Sequence, residues 1–188
     1  MTDLNSIYAA EIAGKPKFPA LTDNLDCEIA VIGGGFTGMT AALTLAEKGY
    51  DVVLVEADVI GSGGSGRNGG HVCQGWSNDF HHISCQLPAD EAQLIWDAGM
   101  SAVDLLRQRV QRYKIDCDLR FGYLHAALHN RQMQELLAMR DEWQAKGYDH
   151  LTALDNRDSL AGHIGTNAYV GALHDAKSGH VQRLKYLY

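Results

Sequence analysis

The amino-acid sequence predicts an α/β fold that begins with a strand, a helix and a second, parallel strand. An apolar run occupies residues 27–33, a helical repeat follows at residues 36–49, and a second apolar run occupies residues 51–56. Glycine-rich stretches follow both strands. Because strand, turn, helix and strand within about thirty residues form a βαβ unit, we expect a right-handed crossover. Part of an α+β domain is expected to follow.

The first strand, "CEIAVIG", is bounded by turn residues and is typical of a strand buried on both faces of a parallel sheet. In the helix, apolar and small residues recur at helical spacing: Met39, Ala42, Leu43 and Ala46. Gly49 stands where this helix is expected to end, and "DVVLVE" forms the second strand.

The remaining elements are predicted in chain order. Residues 72–86 show no clear period, which indicates a loop or short turns. A helix is expected from Asp90 to about Lys114 and another from Asn130 to Lys146. Between the helices, "DLRFGYLHAALH" predicts a strand pair or a bent strand, and "NAYVGALHD" predicts a further strand.

Three segments are expected along the chain. Residues 1–26 form an N-terminal arm, residues 27–80 the βαβ core with its glycine-rich loop, and residues 81–188 helical and β segments of a second domain. A doubly wound sheet has five or six strands, and the βαβ unit supplies two. The sequence stops at "GHVQRLKYLY", within what resembles the start of an apolar helix. We therefore expect an N-terminal fragment, inactive or incomplete by itself.

Composition limits the possible partners. Of the 188 residues, 46% are hydrophobic and 21% charged, and the net charge is -7. This acidic balance, without a cluster of lysine and arginine, disfavours nucleic acid and favours a small-molecule partner. No secretory signal and no run long enough to span a bilayer is visible, so we expect a cytoplasmic protein. The sequence does not indicate an oligomeric state.

The strand–helix turn carries a GxGxxG pattern at Gly33, Gly35 and Gly38. The first glycine permits a tight turn, the second lets the backbone approach a pyrophosphate, and the third allows the helix to pack on the strand. The amide groups of Phe36 and Thr37, at the start of the helix, would then face an anion.

Glu56 ends the second strand, at the distance expected of a carboxylate that accepts hydrogen bonds from an adenosine ribose. Ala57 follows it beside the same site. Because the carboxylate would repel a 2′-phosphate, NADP is disfavoured. These features together predict dinucleotide binding.

The stretch "GSGGSGRNGGH" at residues 61–71 helps to choose between FAD and NAD. A simple NAD domain continues with another helix and strand, whereas this chain continues with glycine, serine, one arginine and one asparagine. Such a segment can lay amide groups along the pyrophosphate and the flavin edge, so we expect FAD. The predicted cofactor-binding residues in it are Ser65, Gly66, Arg67, Asn68, Gly69 and Gly70. An NAD-dependent dehydrogenase and a non-catalytic nucleotide-binding module remain as alternatives.

The motifs "IGGGFTGMTAALTLAEKG", "VVLVEA" and "GSGGSGRNGGH" resemble the FAD-dependent amine and amino-acid oxidoreductases of the D-amino acid oxidase superfamily. Within it, "SGRNGG" is most similar to the gamma-glutamylputrescine oxidoreductase group. The resemblance spans nearly all of this chain but about the N-terminal half of a full-length member. It implies noncovalent FAD in a Rossmann-like domain, an antiparallel substrate domain, and oxidation of a C–N bond by hydride transfer to the flavin.

Carried onto this chain, the resemblance implies that Gly33, Gly35 and Gly38 form the pyrophosphate turn and that Glu56 contacts the ribose. It places "SGRNGG" along the flavin. One departure is Arg183, where the family usually has proline, which puts the local turn in doubt. Since the flavin carries the chemistry, no catalytic triad is expected, and the catalytic residues stay unknown.

The histidines and cysteines do not form a metal-ligand pattern. His81 and His82 lie near Asp79, but adjacent residues on a strand would point to opposite faces, and no zinc spacing is present. We therefore expect no metal site. His71 is expected as a noncovalent neighbour of the flavin. Scattered cysteines without a CxxC motif indicate reduced thiols: Cys27, Cys73, Cys85 and Cys117.

Overall fold

The computed structural model describes residues 7–12, 14, 16–77 and 80–188. Its helices are α1 Ile7–Ala10, α2 Phe36–Glu47, α3 Phe80–Ser84, α4 Ala89–Tyr113, α5 Asn130–Ala145, α6 Arg157–Ala161 and α7 Arg183–Leu187. Its strands are β1 Ile29–Ile32, β2 Val52–Val55, β3 His71–Val72, β4 Arg120–Ala127, β5 Leu151–Leu154 and β6 Gly171–His180. Among the described residues, no helix is long and apolar enough to cross a membrane.

The chain divides into two compact units, each built from segments that are distant in sequence. The first contains the described residues up to Gly70 together with Arg109–Asp118 and Val181–Tyr188. The second contains His71–Gln108 and Leu119–His180.

The first unit contains the predicted βαβ arrangement. Strands β1 and β2 pair in parallel, from Ile29 opposite Val52 to Ile32 opposite Val55. Helix α2 connects them and contacts both strands. Gly49 follows the helix with a φ of 91°, a left-handed conformation that ends a helix at low steric cost. The α/β prediction is therefore confirmed for this part of the chain.

The prediction that β1 is buried on both faces is wrong. Ala30 and Ile32 are exposed, and Ile32 retains 87% of its accessible surface. Ile29 and Val31, on the other face, are half-buried. The physical reason is that this sheet contains two strands within the described residues, and α2 covers one side of it.

The second unit is organised around β6, which pairs antiparallel with β3, β4 and β5. The predicted bent strand is the single strand β4, whose register with β6 shifts between Phe121 and Tyr123. Gly122 adopts a φ of 99° at this irregularity. Strand β6 begins at Gly171, later than predicted, and continues through the polar "DAKSGH". Asp175 is paired by β4 and β5, and Gly179 and His180 are paired by β3 and β4, with the register shift between them.

The segment predicted as loop or short turns contains Val72 of β3 and the short helix α3, although residues 78 and 79 lie outside the described residues. Trp96, which is 4% exposed, packs edge-to-face against Phe80 and Trp143. Trp143 makes a similar contact with Tyr148. These aromatic rings pack together with Leu173 in the core of the second unit.

Candidate cofactor site

The first glycine turn brings Gly33 and Gly38 together. Gly33 has a φ of 106°, and its amide donates to the carbonyl oxygen of Val55 at 2.7 Å. A Cβ atom on Gly38 would collide with the Gly33 carbonyl oxygen. Both positions therefore require glycine, one for its backbone conformation and the other for the close approach of helix to turn.

Gly35 approaches the second glycine-rich segment. A Cβ on Gly35 would lie 2.9 Å from the hydroxyl oxygen of Ser65. Gly35 is the residue before α2, and its own position offers no side chain to cap the helix. Instead, the Phe36 amide donates to Ser65 Oγ at 2.9 Å. Because the serine oxygen accepts this bond, its proton can be donated to a further acceptor, such as a phosphate oxygen.

Glu56 lies directly against the same turn. Its Oε2 accepts a hydrogen bond from the Gly34 amide at 2.6 Å, and its Oε1 accepts one from the Asp58 amide at 3.1 Å. Backbone hydrogen bonds, above all that of Gly34, hold the pKa of Glu56 below its usual value. The carboxylate is therefore ionised at neutral pH and has a fixed position beside the glycine turn.

Asn68 gives the glycine-rich segment a defined shape. Its Nδ2 donates to the carbonyl oxygens of Gly64 and Ser65, and its Oδ1 accepts from the Gly70 amide at 2.7 Å. A 3-10 turn spans Gly64–Gly66. These hydrogen bonds fix the conformation of residues 64–70. They give Asn68 a structural role in addition to its predicted contact with the cofactor.

Helix α7 packs against the glycine-rich segment at residues 61–70. Leu184 is fully buried, and its Cδ2 would lie 2.9 Å from a Cβ on either Gly61 or Gly66. Gly70 has a φ of 71°, and its carbonyl oxygen accepts from the Val181 amide at 2.9 Å. The start of α7 is intact despite the arginine at position 183, because the Gln182 side chain accepts from the second and third amides of the helix.

The structure thus brings six of the predicted residues into one connected group: Gly33, Gly35, Phe36, Gly38, Glu56 and Ser65. Gly66 and Gly70 are buried in the supporting segment, and five others are exposed around it: Thr37, Ala57, Arg67, Asn68 and Gly69. Whether these residues contact a cofactor stays a prediction.

Sequence reasoning missed Gly34 and Ile60. A Cβ on Gly34 would collide with Ile60 Cδ1 and lie 3.3 Å from Glu56 Oε2. A side chain at the middle position of the motif would therefore displace Ile60 in this chain, although the general pattern leaves the position open. The run of three glycines at residues 33–35 was the available signal.

The histidines named in the sequence analysis lie in α3 and β3. His81 and His82 are both exposed and lie in helix α3 rather than on a strand. Among the described residues, no three metal-ligating side chains converge. His71 lies in β3, paired with His180, and packs edge-to-face against Tyr123 at 5.5 Å between ring centroids. Its predicted proximity to a flavin stays a prediction.

Comparison with known proteins places this geometry in a family. Residues 28–188 match the model of the DAO family, described as FAD dependent oxidoreductases. The chain is 37% identical over 185 residues to gamma-glutamylputrescine oxidoreductase of Escherichia coli (strain K12), a match covering 98% of this chain and 43% of that protein. It is also 37% identical over 171 residues to a probable oxidoreductase, OrdL, of Haemophilus influenzae, covering 90% of this chain and 39% of the relative.

Solved structures share the fold. Glycine oxidase from Bacillus cereus superposes with a TM-score of 0.60 at 24% identity, covering 86% of this chain and 42% of that one. L-amino acid deaminase from Proteus vulgaris gives a TM-score of 0.68 at 19% identity, covering 93% and 39%. The chain therefore belongs to the DAO family of FAD-dependent oxidoreductases, and it spans less than half the length of the curated relatives it matches.

Proposed function

We propose that this chain provides the site for the ADP half of FAD in an enzyme that oxidises a C–N bond of an amine or amino acid. The observation that carries the proposal is the contact between Glu56 and the glycine turn, at the N-terminus of α2. An ionised carboxylate and helix amides within one turn match the two polar parts of an adenine dinucleotide, its ribose hydroxyls and its diphosphate.

The residues present fit that cofactor. A side chain at Gly35 would fill the space beside Ser65, so the backbone there is open to a diphosphate only as glycine. The Ser65 hydroxyl would donate to the diphosphate while it caps α2, and Glu56 would accept from the ribose. Arg67, exposed on the segment that follows, would supply positive charge.

Bound FAD would supply the acceptor for a hydride from the carbon next to the amine nitrogen, which would leave an imine that water hydrolyses. The part of this chain in that reaction is to hold and orient the cofactor in its Rossmann-like βαβ unit. We propose a gamma-glutamylputrescine-like substrate, because the name of the Escherichia coli relative specifies that compound. A cytoplasmic location is proposed because no disulfide joins the four cysteines.

Titration of FAD into the 188-residue chain, followed by flavin fluorescence, tests the proposal. We expect saturable binding that Glu56→Gln weakens by about fivefold to 150-fold, because a charged hydrogen-bond acceptor is lost. Glu91→Gln removes an exposed carboxylate from α4 and serves as the matched control. NAD in excess should not displace the flavin.

Each alternative predicts a different outcome. If NAD binds more tightly than FAD, the chain is the start of a nicotinamide-dependent dehydrogenase. If neither cofactor binds and ADP does, it is a nucleotide-binding module without redox chemistry. Equal affinity of the Glu56→Gln and wild-type chains for FAD would remove Glu56 from the site.

A further inference from the structure

Helices α1 and α7 contact each other within the first unit, although they come from opposite ends of the chain. The guanidinium carbon of Arg183 lies 3.6 Å from the centroid of the Tyr8 ring. Nε2 of the neighbouring Gln182 donates to the Tyr8 carbonyl oxygen at 3.1 Å. Two different contacts, one with the ring and one with the backbone, therefore hold the N-terminal helix on the start of α7.

Arg183 is deeply buried for a charged residue. It is 3% exposed, and its Nε has no hydrogen-bond partner among the described residues. A buried cation with an unsatisfied donor is costly unless another group stabilises it. The face of the Tyr8 ring carries the negative potential that does so, and cation–π contacts strengthen when the cation is removed from water.

The contact at Arg183 is connected to the glycine-rich segment through one residue. Leu184 follows Arg183 in α7 and fills the space in which Gly61 and Gly66 would otherwise carry side chains. Ser65, the cap of α2, lies in the same 3-10 turn as Gly66. Any shift of α7 would therefore displace the turn that holds Ser65 against the helix.

Arg183 is also the first residue of α7. Proline is favoured at this position of a helix, because its φ is preset and its missing amide hydrogen is not needed there. Arginine has no such restriction, so the start of α7 depends on other contacts to fix its position. The amides after it are capped by Gln182, and the side chain is fixed by Tyr8.

We propose that Tyr8 and Arg183 are positioning residues for the cofactor site: their contact, here called the Tyr8–Arg183 lock, holds α7 under residues 61–67 and so keeps Ser65 on the start of α2. The N-terminal residues thereby control the order of a loop more than fifty positions away in sequence. The lock explains why a charged side chain is buried at the start of a short apolar helix.

Hydrogen exchange of the cofactor-free chain, measured by mass spectrometry, tests the lock without any ligand. The reporting amides are those of Gly66 and Arg67, which are bonded within the 3-10 turn. Tyr8→Leu should raise their exchange rates by about threefold to thirtyfold, the range that a cation–π contact supports. Tyr8→Phe keeps the ring and should behave as wild type, and Tyr50→Leu changes an exposed tyrosine as the matched control.

Arg183→Pro shows whether the effect of Tyr8→Leu on hydrogen exchange acts through Arg183 or through another contact of the N-terminal helix. In that background the first residue of α7 is fixed by its ring, so Tyr8→Leu should no longer change exchange in residues 61–67. An equal effect of Tyr8→Leu with arginine or proline at position 183 would overturn the lock. Unchanged exchange in Tyr8→Leu alone would overturn it as well.

FAD titration with the same variants tests the consequence for the cofactor, and this part rests on the proposed function. Tyr8→Leu should weaken FAD by a similar factor, and Arg183→Pro should remove that dependence. Faster exchange with unchanged FAD affinity would show that the lock does not position the site. Failure of the wild-type chain to bind FAD would refute the proposed function, while the exchange data would still decide whether the lock exists.

Discussion

Alanine at position 34 tests the packing of the first glycine turn. Gly34 does not have a positive φ, so alanine is permitted by the backbone, but its Cβ would collide with Ile60 Cδ1. Overpacking of this kind costs about 1 to 3 kcal/mol. Loss of glycine's freedom in the unfolded chain offsets about 0.4 to 1 kcal/mol of that cost. We therefore expect Gly34→Ala to lower the free energy of unfolding by about 1 to 2 kcal/mol in urea titrations.

The colliding atom can be removed, because valine at position 60 lacks the Cδ1 carbon of isoleucine. Ile60→Val alone should cost about 0.5 to 1.5 kcal/mol. Combined with Gly34→Ala, it should cost about 1 kcal/mol less than the sum of the two single changes. Gly63→Ala is the control, since a Cβ there meets nothing within 4 Å. Additive effects in the double variant, or a Gly34→Ala chain as stable as Gly63→Ala, would refute the packing argument.

Two further predictions concern carboxylates. The folded-state pKa of Glu56 is lowered, so its contribution to stability is present above its unfolded pKa, near 4.5, and is lost as the pH falls through the folded value. The wild type should therefore lose more stability than Glu56→Gln between pH 6 and about pH 3, as measured by urea unfolding. In the second unit, Tyr148 donates to the fully buried Asp175 at 2.6 Å, and burial followed by this bond raises the pKa of Tyr148. Tyr148→Phe should cost about 1.5 to 3 kcal/mol, whereas the exposed Tyr50→Phe should be neutral; equal stabilities would show that the bond contributes little.

Local patterns were sufficient to predict most of the elements. The helices α4 and α5 were predicted within one or two residues of their observed bounds, because long amphipathic repeats are determined by residues close in sequence. The polar half of β6 was not predicted. Its residues "AKSGH" have no strand periodicity. Gly179 and His180 are extended because β3 and β4 pair with them, and residues 176–178 form the irregularity that precedes this pairing.

The exposed face of β1 is a second feature that its local sequence did not predict. Its apolar sequence correctly predicts a parallel strand, but the number of faces that are covered depends on which elements pack against the sheet. Ile32 is consequently exposed although its residue type favours burial. A strand's own sequence cannot specify its neighbours.

For the candidate site, the sequence by itself determined the turn, the helix and the carboxylate at the end of β2. These features depend on spacing within one βαβ unit, and spacing along a short chain segment fixes their proximity. Only the tertiary structure decided that Ser65 caps α2, that Ile60 packs against Gly34, and that Arg183 is buried on Tyr8. Each of these contacts joins residues far apart in the sequence, and they meet only because packing of the folded chain brings them together.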